Sequence, residues 1–400
     1  MARRRDLLKL TAGGAAAFAV LGMPGVVFAA LPGERRFVVV LLRGALDGLA
    51  AVPPLADAQY RDKRGSLALP APGEPNGCLA LDETFALHPA LAPIYPYWQK
   101  RELLFVHASG NGYRTRSHFD GQDLMESGLS AKTGISDGWL NRALALMPRG
   151  RRLGLAVGGA VPLILRGKVE VASWEPPGGL HDASPDFIAA LAPLYRRDAL
   201  LGPALAEGLK AQSFSEGVLG DSMQGGRGFG PKNFAPLVEA AGKLLAAPDG
   251  PRLAALDMGG WDTHVNQGAA QGRLAQNFAG YADGLDALAK GMGEAWRQTV
   301  VVAVTEFGRT VAVNGNGGTD HGTASVLLVM GGAVKGGRIA GDWPGLAQLQ
   351  DDRDLRVATD SRRVMKGILR DHLGLDAAAL DRKVFPETQD LRPFAGLVRA

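Results

Sequence analysis

Phe37 to Leu42 reads Phe-Val-Val-Val-Leu-Leu, six apolar residues in a row with Arg36 before them and Arg43 after. A strand with one wet face alternates apolar and polar residues. An unbroken apolar run of this length instead suits a strand buried on both faces. Similar runs recur at Leu103 to His107, Leu153 to Val157, Arg252 to Leu256, Thr299 to Thr305 and Ser325 to Met330. Between them lie stretches of helical period: Phe119 to Glu126, Pro185 to Tyr195, Phe234 to Ala246 and Gln271 to Arg297. A last one runs from Ser361, a plausible N-cap, to Leu373, with Gly374 as its stop. Buried strands alternating with helices predict an α/β fold, a large mainly parallel sheet with helices on both faces. No repeat interrupts the pattern. The Gly/Ser-rich stretch from Ser213 to Gly230 is the expected loop or cap insertion.

The first thirty residues carry a different signal. Arg3, Arg4, Arg5 and Lys9 surround Asp6, and Arg4 to Lys9 reads Arg-Arg-Asp-Leu-Leu-Lys, close to a twin-arginine export pattern. A mild apolar stretch broken by Pro24 follows, and Val27-Phe28-Ala29 resembles a small-x-small cleavage site. The expected organisation is a signal peptide over 1–30 and one α/β domain over 31–400. The expected location is periplasmic or extracellular, with the twin-arginine machinery as a partner. Of 44 Lys and Arg and 40 Asp and Glu, removal of that segment leaves 40 against 39. A nearly neutral chain without a basic stripe excludes nucleic acid as an expected partner. No later segment is apolar enough for a stable membrane span once the signal is cleaved. Cys78 is the only cysteine, which suits a protein folded before export and excludes an internal disulfide.

In an open α/β sheet, ligands bind beyond the carboxyl ends of the strands, so the residues that follow each apolar run matter most. Arg43, Gly44, Asp47 and Gly48 follow the first run, and Ser109 to Asp120 follow the second. Asp257 to His264 follow Leu256, and Glu306 to Arg309 follow Thr305. A Gly/Asn-rich loop ends in Thr319, Asp320, His321 and Gly322, just before Ser325. Four of the seven histidines (His107, His118, His264 and His321) thus gather at strand ends with carboxylates. Imidazole with carboxylate is a ligand set for zinc, manganese and similar ions, which suit ester hydrolysis. Each residue also has a plainer reading: Asp47 as a turn residue, His107 as a core histidine, Glu306 as a partner of Arg309. No Gly-x-x-x-x-Gly-Lys-Ser/Thr loop, clean Gly-x-Gly-x-x-Gly or Gly-x-Ser-x-Gly elbow is present.

Leu42 to Gly48, Arg114 to Phe119, Gly259 to His264, Thr305 to Thr310 and Gly318 to Thr323 together resemble a bacterial twin-arginine-exported family, the domain of unknown function fifteen-oh-one. That family is similar to the alkaline phosphatase and sulfatase superfamily. The resemblance implies an α/β sandwich carrying one or two divalent ions (Zn, Mn, Mg or Ca). It implies metal ligation by Asp47, Asp262, His264, Glu306, Asp320 and His321. Ser117 or His118 falls where the superfamily's nucleophile opens a helix, with Thr115 as an alternative hydroxyl. Arg309, Arg114 or Arg116 would neutralise the oxyanion. Two departures stand out: Phe307 occupies the place of an expected His, and the sulfatase Cys-x-Pro-x-Arg signature is missing. The implied activity is metal-dependent hydrolysis of a phosphate or sulfate ester of a small molecule or glycan. A non-catalytic exported binding or assembly protein on the same fold is the alternative, and a redox protein lacks any cofactor motif.

Overall fold

The apolar runs become neighbouring strands of one sheet in the computed structural model of the chain. It describes residues 35–132, 134–148, 154–158, 160–176, 190, 193–195, 198, 201–220 and 231–399. The strands are β1 (Arg36–Leu42), β2 (Leu79–Ala80), β3 (Ala86–Leu87), β4 (Leu103–Gly110), β5 (Gly154–Val157), β6 (Ala172–Trp174), β7 (Leu253–Met258), β8 (Thr299–Val304), β9 (Ser325–Met330), β10 (Arg338–Ala340) and β11 (Thr359–Asp360). The main sheet has the order β10-β4-β9-β8-β1-β7-β5-β6, with β11 paired to β4; β2 and β3 form a separate hairpin. β1 pairs in parallel with both β7 and β8. Among these strands of the main sheet only β9 runs antiparallel, against β4 and β8. β4 therefore points the same way as β1, β7 and β8.

All seven residues of β1 are buried. Val38, Val40 and Leu42 join one apolar cluster, while Phe37, Val39 and Leu41 join another, so both faces of the strand are covered. Period-2 alternation sorts the residues between two cores. The first core receives α7 (Pro231–Ala246) and α8 (Arg273–Met292) through Phe234, Leu237, Leu244, Phe278 and Leu285. The second receives α5 (Trp139–Leu144) and α9 (Ser361–Asp371) through Trp139, Leu140, Val364 and Ile368. The remaining helices used below are α1 (Gly48–Ala51), α2 (Tyr60–Arg64), α4 (His118–Ser127) and α6 (Leu201–Leu219).

Several local expectations are corrected. Asp360, not Ser361, caps α9, because its carboxylate accepts the Arg362 N–H. The long helix from Gln271 ends at Met292, where Gly293 at φ 51° turns the chain into a short 3-10 segment, Gly293–Gln298. Ser213 to Leu219 belong to α6 rather than to a loop. The export segment 1–30, residues 221–230 and most of Pro185 to Tyr195 lie outside the described residues. Among the described residues, no helix is long and apolar enough to cross a membrane.

Candidate metal centre

Three loops meet beyond the carboxyl ends of β1, β7 and β8. Gly44 makes the meeting close: at φ 118°, a Cβ there would lie 2.6 Å from the Asp262 nitrogen. Its N–H donates to Glu306 Oε1 at 2.8 Å, tying the loop after β1 to the one after β8. Gly121 lets α4 approach Phe307, since a Cβ there would stand 2.9 Å from the ring. Phe307 is buried and stacks on His118 with ring centres 5.1 Å apart; His321 lies against it at 5.2 Å. The residue that departs from the superfamily pattern is thus an apolar wall behind two histidines.

Each of three imidazoles has its Nδ1 held from behind. His118 Nδ1 meets Glu306 Oε1 at 2.8 Å, His264 Nδ1 meets Asp320 Oδ1 at 3.0 Å, and His321 Nδ1 meets the Arg116 carbonyl at 2.8 Å. Carboxylates and carbonyls only accept, so each ring donates from Nδ1 and turns its Nε2 forward. Those Nε2 atoms converge on Asp262. His264 Nε2 and His321 Nε2 lie 3.0 and 3.3 Å from Asp262 Oδ1, and His118 Nε2 lies 3.5 Å from Oδ2. His264 Nε2 and His321 Nε2 are only 2.9 Å apart. At that distance the two nitrogens share a proton or face a common cation. His118 Nε2 is buried without a hydrogen-bond partner. Two ligands about 2.0–2.1 Å from a tetrahedral ion are themselves about 3.3 Å apart, and the observed separations bracket that value. His118, Asp262 and His321 place ligand atoms within 4.8 Å of one another, and His264 borders this trio through Asp262 and His321. The donor set fits a zinc-like ion.

Charge reinforces this arrangement. Burial pushes the Glu306 carboxyl up, but hydrogen bonds from His118, Gln122 and backbone N–H groups hold it below its ordinary value. Burial likewise opposes the Asp262 charge, and Arg309, His264 and His118 bring its pKa down. The Asn314 amide is the largest cause holding Asp320 low. His118 is raised, chiefly by Glu306, whereas burial, followed by the charges of His118 and Arg309, lowers His321.

The expected site residues divide accordingly. Asp262, His264 and His321 come together, and His118, expected as nucleophile or acid/base partner, joins them as a fourth donor. Glu306 and Asp320 sit behind the rings as hydrogen-bond acceptors. Asp47 stands elsewhere: it is buried, its Oδ2 accepts from Arg64 Nη2 and Gln267 Nε2 at 2.7 Å each, and its Oδ1 caps α1. A guanidinium thus occupies the carboxylate that the resemblance assigned to a metal. Arg309 is also committed, with Nη1 on Asp262 Oδ1 at 2.6 Å, Nε on Thr319 Oγ1 and Nη2 on the Thr319 carbonyl. It positions Asp262 rather than facing a substrate. Arg116 is engaged by Asp354 and Asp351, while Arg114 and Thr115 are exposed. Ser117 is the N-cap of α4, yet its side chain makes no capping bond. His107 is the core histidine of its plainer reading, buried with Nε2 on the Val52 carbonyl. Asp354, Gln267 and Asn314 escaped the sequence reading; only Asn314, inside the Gly/Asn-rich loop, carried any sequence signal.

Residues 210–384 match the family described as "Protein of unknown function (DUF1501)". The matched stretch contains Asp262, His264, Glu306, Arg309, Asp320 and His321, and His118 precedes it. No curated protein matches the chain in sequence. Among solved structures, the chain is similar to the C-terminal periplasmic domain of EcEptC from Escherichia coli in complex with Zn. That match has a TM-score of 0.39 at 10% identity, covering 90% of this chain and 89% of that one. It is similar to a phosphonate monoester hydrolase of Agrobacterium radiobacter, with a TM-score of 0.36 at 10% identity over 86% and 74%. It is also similar to TAB5 alkaline phosphatase with Mg bound, with a TM-score of 0.35 at 12% identity over 76% and 91%.

Proposed function

We propose that the chain is an exported, divalent-metal-dependent hydrolase of phosphate or sulfate esters, with one ion held by His118, Asp262 and His321 and with His264 beside them. The observation that carries this reading is the forward convergence of three Nε2 atoms on Asp262, each ring fixed from behind by its own acceptor. Imidazoles oriented in this way are the usual support of a metal site. An ion held there would supply Lewis acidity at the ester oxygens.

The remaining steps belong to the chain's own residues. Ser117 supplies the attacking oxygen: its hydroxyl is not spent on capping, and it directly precedes His118. The first turn of α4 offers N–H groups and the positive end of the helix dipole to the anionic ester. Arg114, exposed on the loop leading into α4, meets the ester's charge. Phe119 beside His118 is 82% exposed and Val265 beside His264 is 51% exposed. They flank the centre with apolar surface, so aryl phosphates and aryl sulfates are the probes of choice.

The test is elemental analysis of the purified chain followed by turnover of those two probes. About one divalent ion per chain is expected. Replacing His264 and His321 together by Ala removes it, and Ser117→Ala abolishes turnover while keeping the ion. Unchanged metal content in the double variant overturns the site. A bound ion with no ester ever turned over moves the reading to a non-catalytic binding or assembly protein. Export through the twin-arginine pathway is part of the same proposal. It rests on Arg4 and Arg5, and replacing both with Lys leaves unprocessed precursor in the cytoplasm; normal processing would remove it.

A further inference from the structure

At the opposite end of the sheet, where β4 begins, three chain segments line an open cavity of about 470 Å³. Its lining is Arg101, Lys335, Gly336, Gly337, Arg338 and Arg399. Four of six lining residues are cations, and none is acidic. β4 runs parallel to β1, so this end lies across the sheet from the histidine cluster.

The cavity is built by specific contacts. Gly336 N–H donates to the Arg101 carbonyl at 2.9 Å, and Gly337 N–H to the Leu103 carbonyl at 2.8 Å, so the turn sits directly on the start of β4. The C-terminal segment closes the third side, with Lys335 N–H on the Leu397 carbonyl and Arg399 N–H on the Ala333 carbonyl. Gly337 at φ 74° leaves room for Arg101, whose Cγ would be 2.9 Å from a Cβ there. Two guanidiniums are aimed by neutral acceptors: Arg338 Nη2 donates to the Gly396 carbonyl at 2.7 Å and Arg399 Nη2 to the Arg101 carbonyl at 2.9 Å. No described carboxylate pairs with any of the four cations. Glu102, next along the chain, has its Oε2 on the Trp296 indole N–H.

Four like charges around one cavity favour the entry of an anion. Surface cations are ordinarily interspersed with acids, which offset them. Oriented guanidiniums match tetrahedral oxyanions by paired hydrogen bonds. We propose that this cavity is a binding site for a phosphate group, distinct from the metal centre and independent of its chemistry. The group belongs to a soluble phosphomonoester or to a phospholipid headgroup, which present the same oxygens.

The test uses the full chain stripped of metal with EDTA, so that the histidine cluster cannot anchor the probe. Glycerol 3-phosphate is titrated calorimetrically against wild type, Arg101→Gln/Lys335→Gln and Arg399→Gln. Among the described residues the Arg101 and Lys335 side chains make no hydrogen bond or ion pair, so the double variant keeps its melting temperature. Losing charge-assisted hydrogen bonds lowers affinity by at least about tenfold. In parallel, vesicles containing phosphatidylglycerol are sedimented with each protein. Binding of glycerol 3-phosphate without vesicle association assigns a soluble ligand; vesicle association weakened in the double variant assigns a headgroup. Equal affinity in wild type and both folded variants overturns the site, as does no binding to either probe.

Discussion

Asp354 has no exposed surface, and it joins two arginines that grip the same histidine. Its Oδ2 accepts from Arg116 Nε and Nη2 at 3.0 and 2.7 Å, and its Oδ1 accepts from Arg353 Nε at 3.0 Å. Arg116, at φ 61°, turns its carbonyl onto His321 Nδ1, while Arg353 Nη2 donates to the His321 carbonyl at 2.6 Å. A non-glycine residue in that backbone region is held by its surroundings. Asp354→Asn should therefore leave the fold in place and weaken divalent-ion affinity by about 10–100-fold, the usual cost of a lost outer-shell contact. Asp351→Asn, which removes only an exposed arm of Arg116, should change affinity little. Competition with a chromophoric chelator measures both, and an Asp354→Asn chain that holds zinc as tightly as wild type refutes this role. Of the residues proposed to surround the ion, Asp262 and His264 were legible because they follow an apolar run, His118 because it opens the helix after one, and His321 because it ends the loop just before Ser325. Which side chains ligate and which stand behind was not. Glu306 and Asp320 have ligand chemistry, but their roles follow from which nitrogen they face. Asp354 was invisible, because its link to Arg116 spans 238 residues and Asp354 itself sits in no motif.

Asp47 joins elements rather than binding a ligand. It caps α1, pairs with Arg64 at the end of α2, and through Gln267 reaches the loop after β7. Gln267 accepts in turn from Thr263 and Thr319, and Thr319 accepts from Arg309, so this network supports the segment bearing Asp262 and His264. Both partners of the ion pair are fully buried. Removing one partner of such a pair leaves an uncompensated charge, at a cost of about 3–5 kcal/mol. Asp47→Asn should lower unfolding free energy by that amount in a urea titration. The fraction that remains folded should keep its full metal content. A variant that loses its ion while retaining stability would restore Asp47 to the ligand set. At this scale the sequence was read well where burial dominates. Ser325–Met330 has the expected bounds, and β1 and β8 differ by one residue, because unbroken Val and Leu runs have few alternatives to a covered strand. Reading failed where one polar side chain decides. Asp360 displaced Ser361 as cap because a carboxylate at that position reached the Arg362 N–H first.

Across the whole molecule, three histidines far from the proposed metal centre set the response to acid. His88, His107 and His372 are buried, and burial brings each from 6.5 down to about 4. Their Nε2 atoms meet the carbonyls of Ala269, Val52 and Arg36 at 3.0, 2.8 and 2.9 Å. In His88 and His107, Nδ1 accepts a backbone N–H, from Ala90 and Ala108, so a proton there also breaks a hydrogen bond. Between about pH 6.5 and 4 the unfolded chain binds these protons and the folded chain does not, so unfolding takes up protons and stability falls as pH drops. A depression from 6.5 to about 4 corresponds to about 3 kcal/mol per group. Three such groups together rival the stability of a typical domain. His118 acts in the opposite sense: Glu306 raises its pKa, which adds stability on the acid side and removes it as pH rises through the raised value. One partly buried group cannot offset three buried ones. The carboxylates held low, Glu306, Asp262 and Asp320, lose their contribution only at still lower pH. In EDTA, urea unfolding should therefore show a steep loss of stability from pH 6.5 to 4, with most of the chain unfolded before the carboxylates titrate. Ring-proton NMR should find the His88, His107 and His372 signals insensitive to pH until the fold is lost. Stability that stays flat from pH 7 to 4.5, or a ring among the three that titrates near 6.5 in the folded chain, would rule this account out.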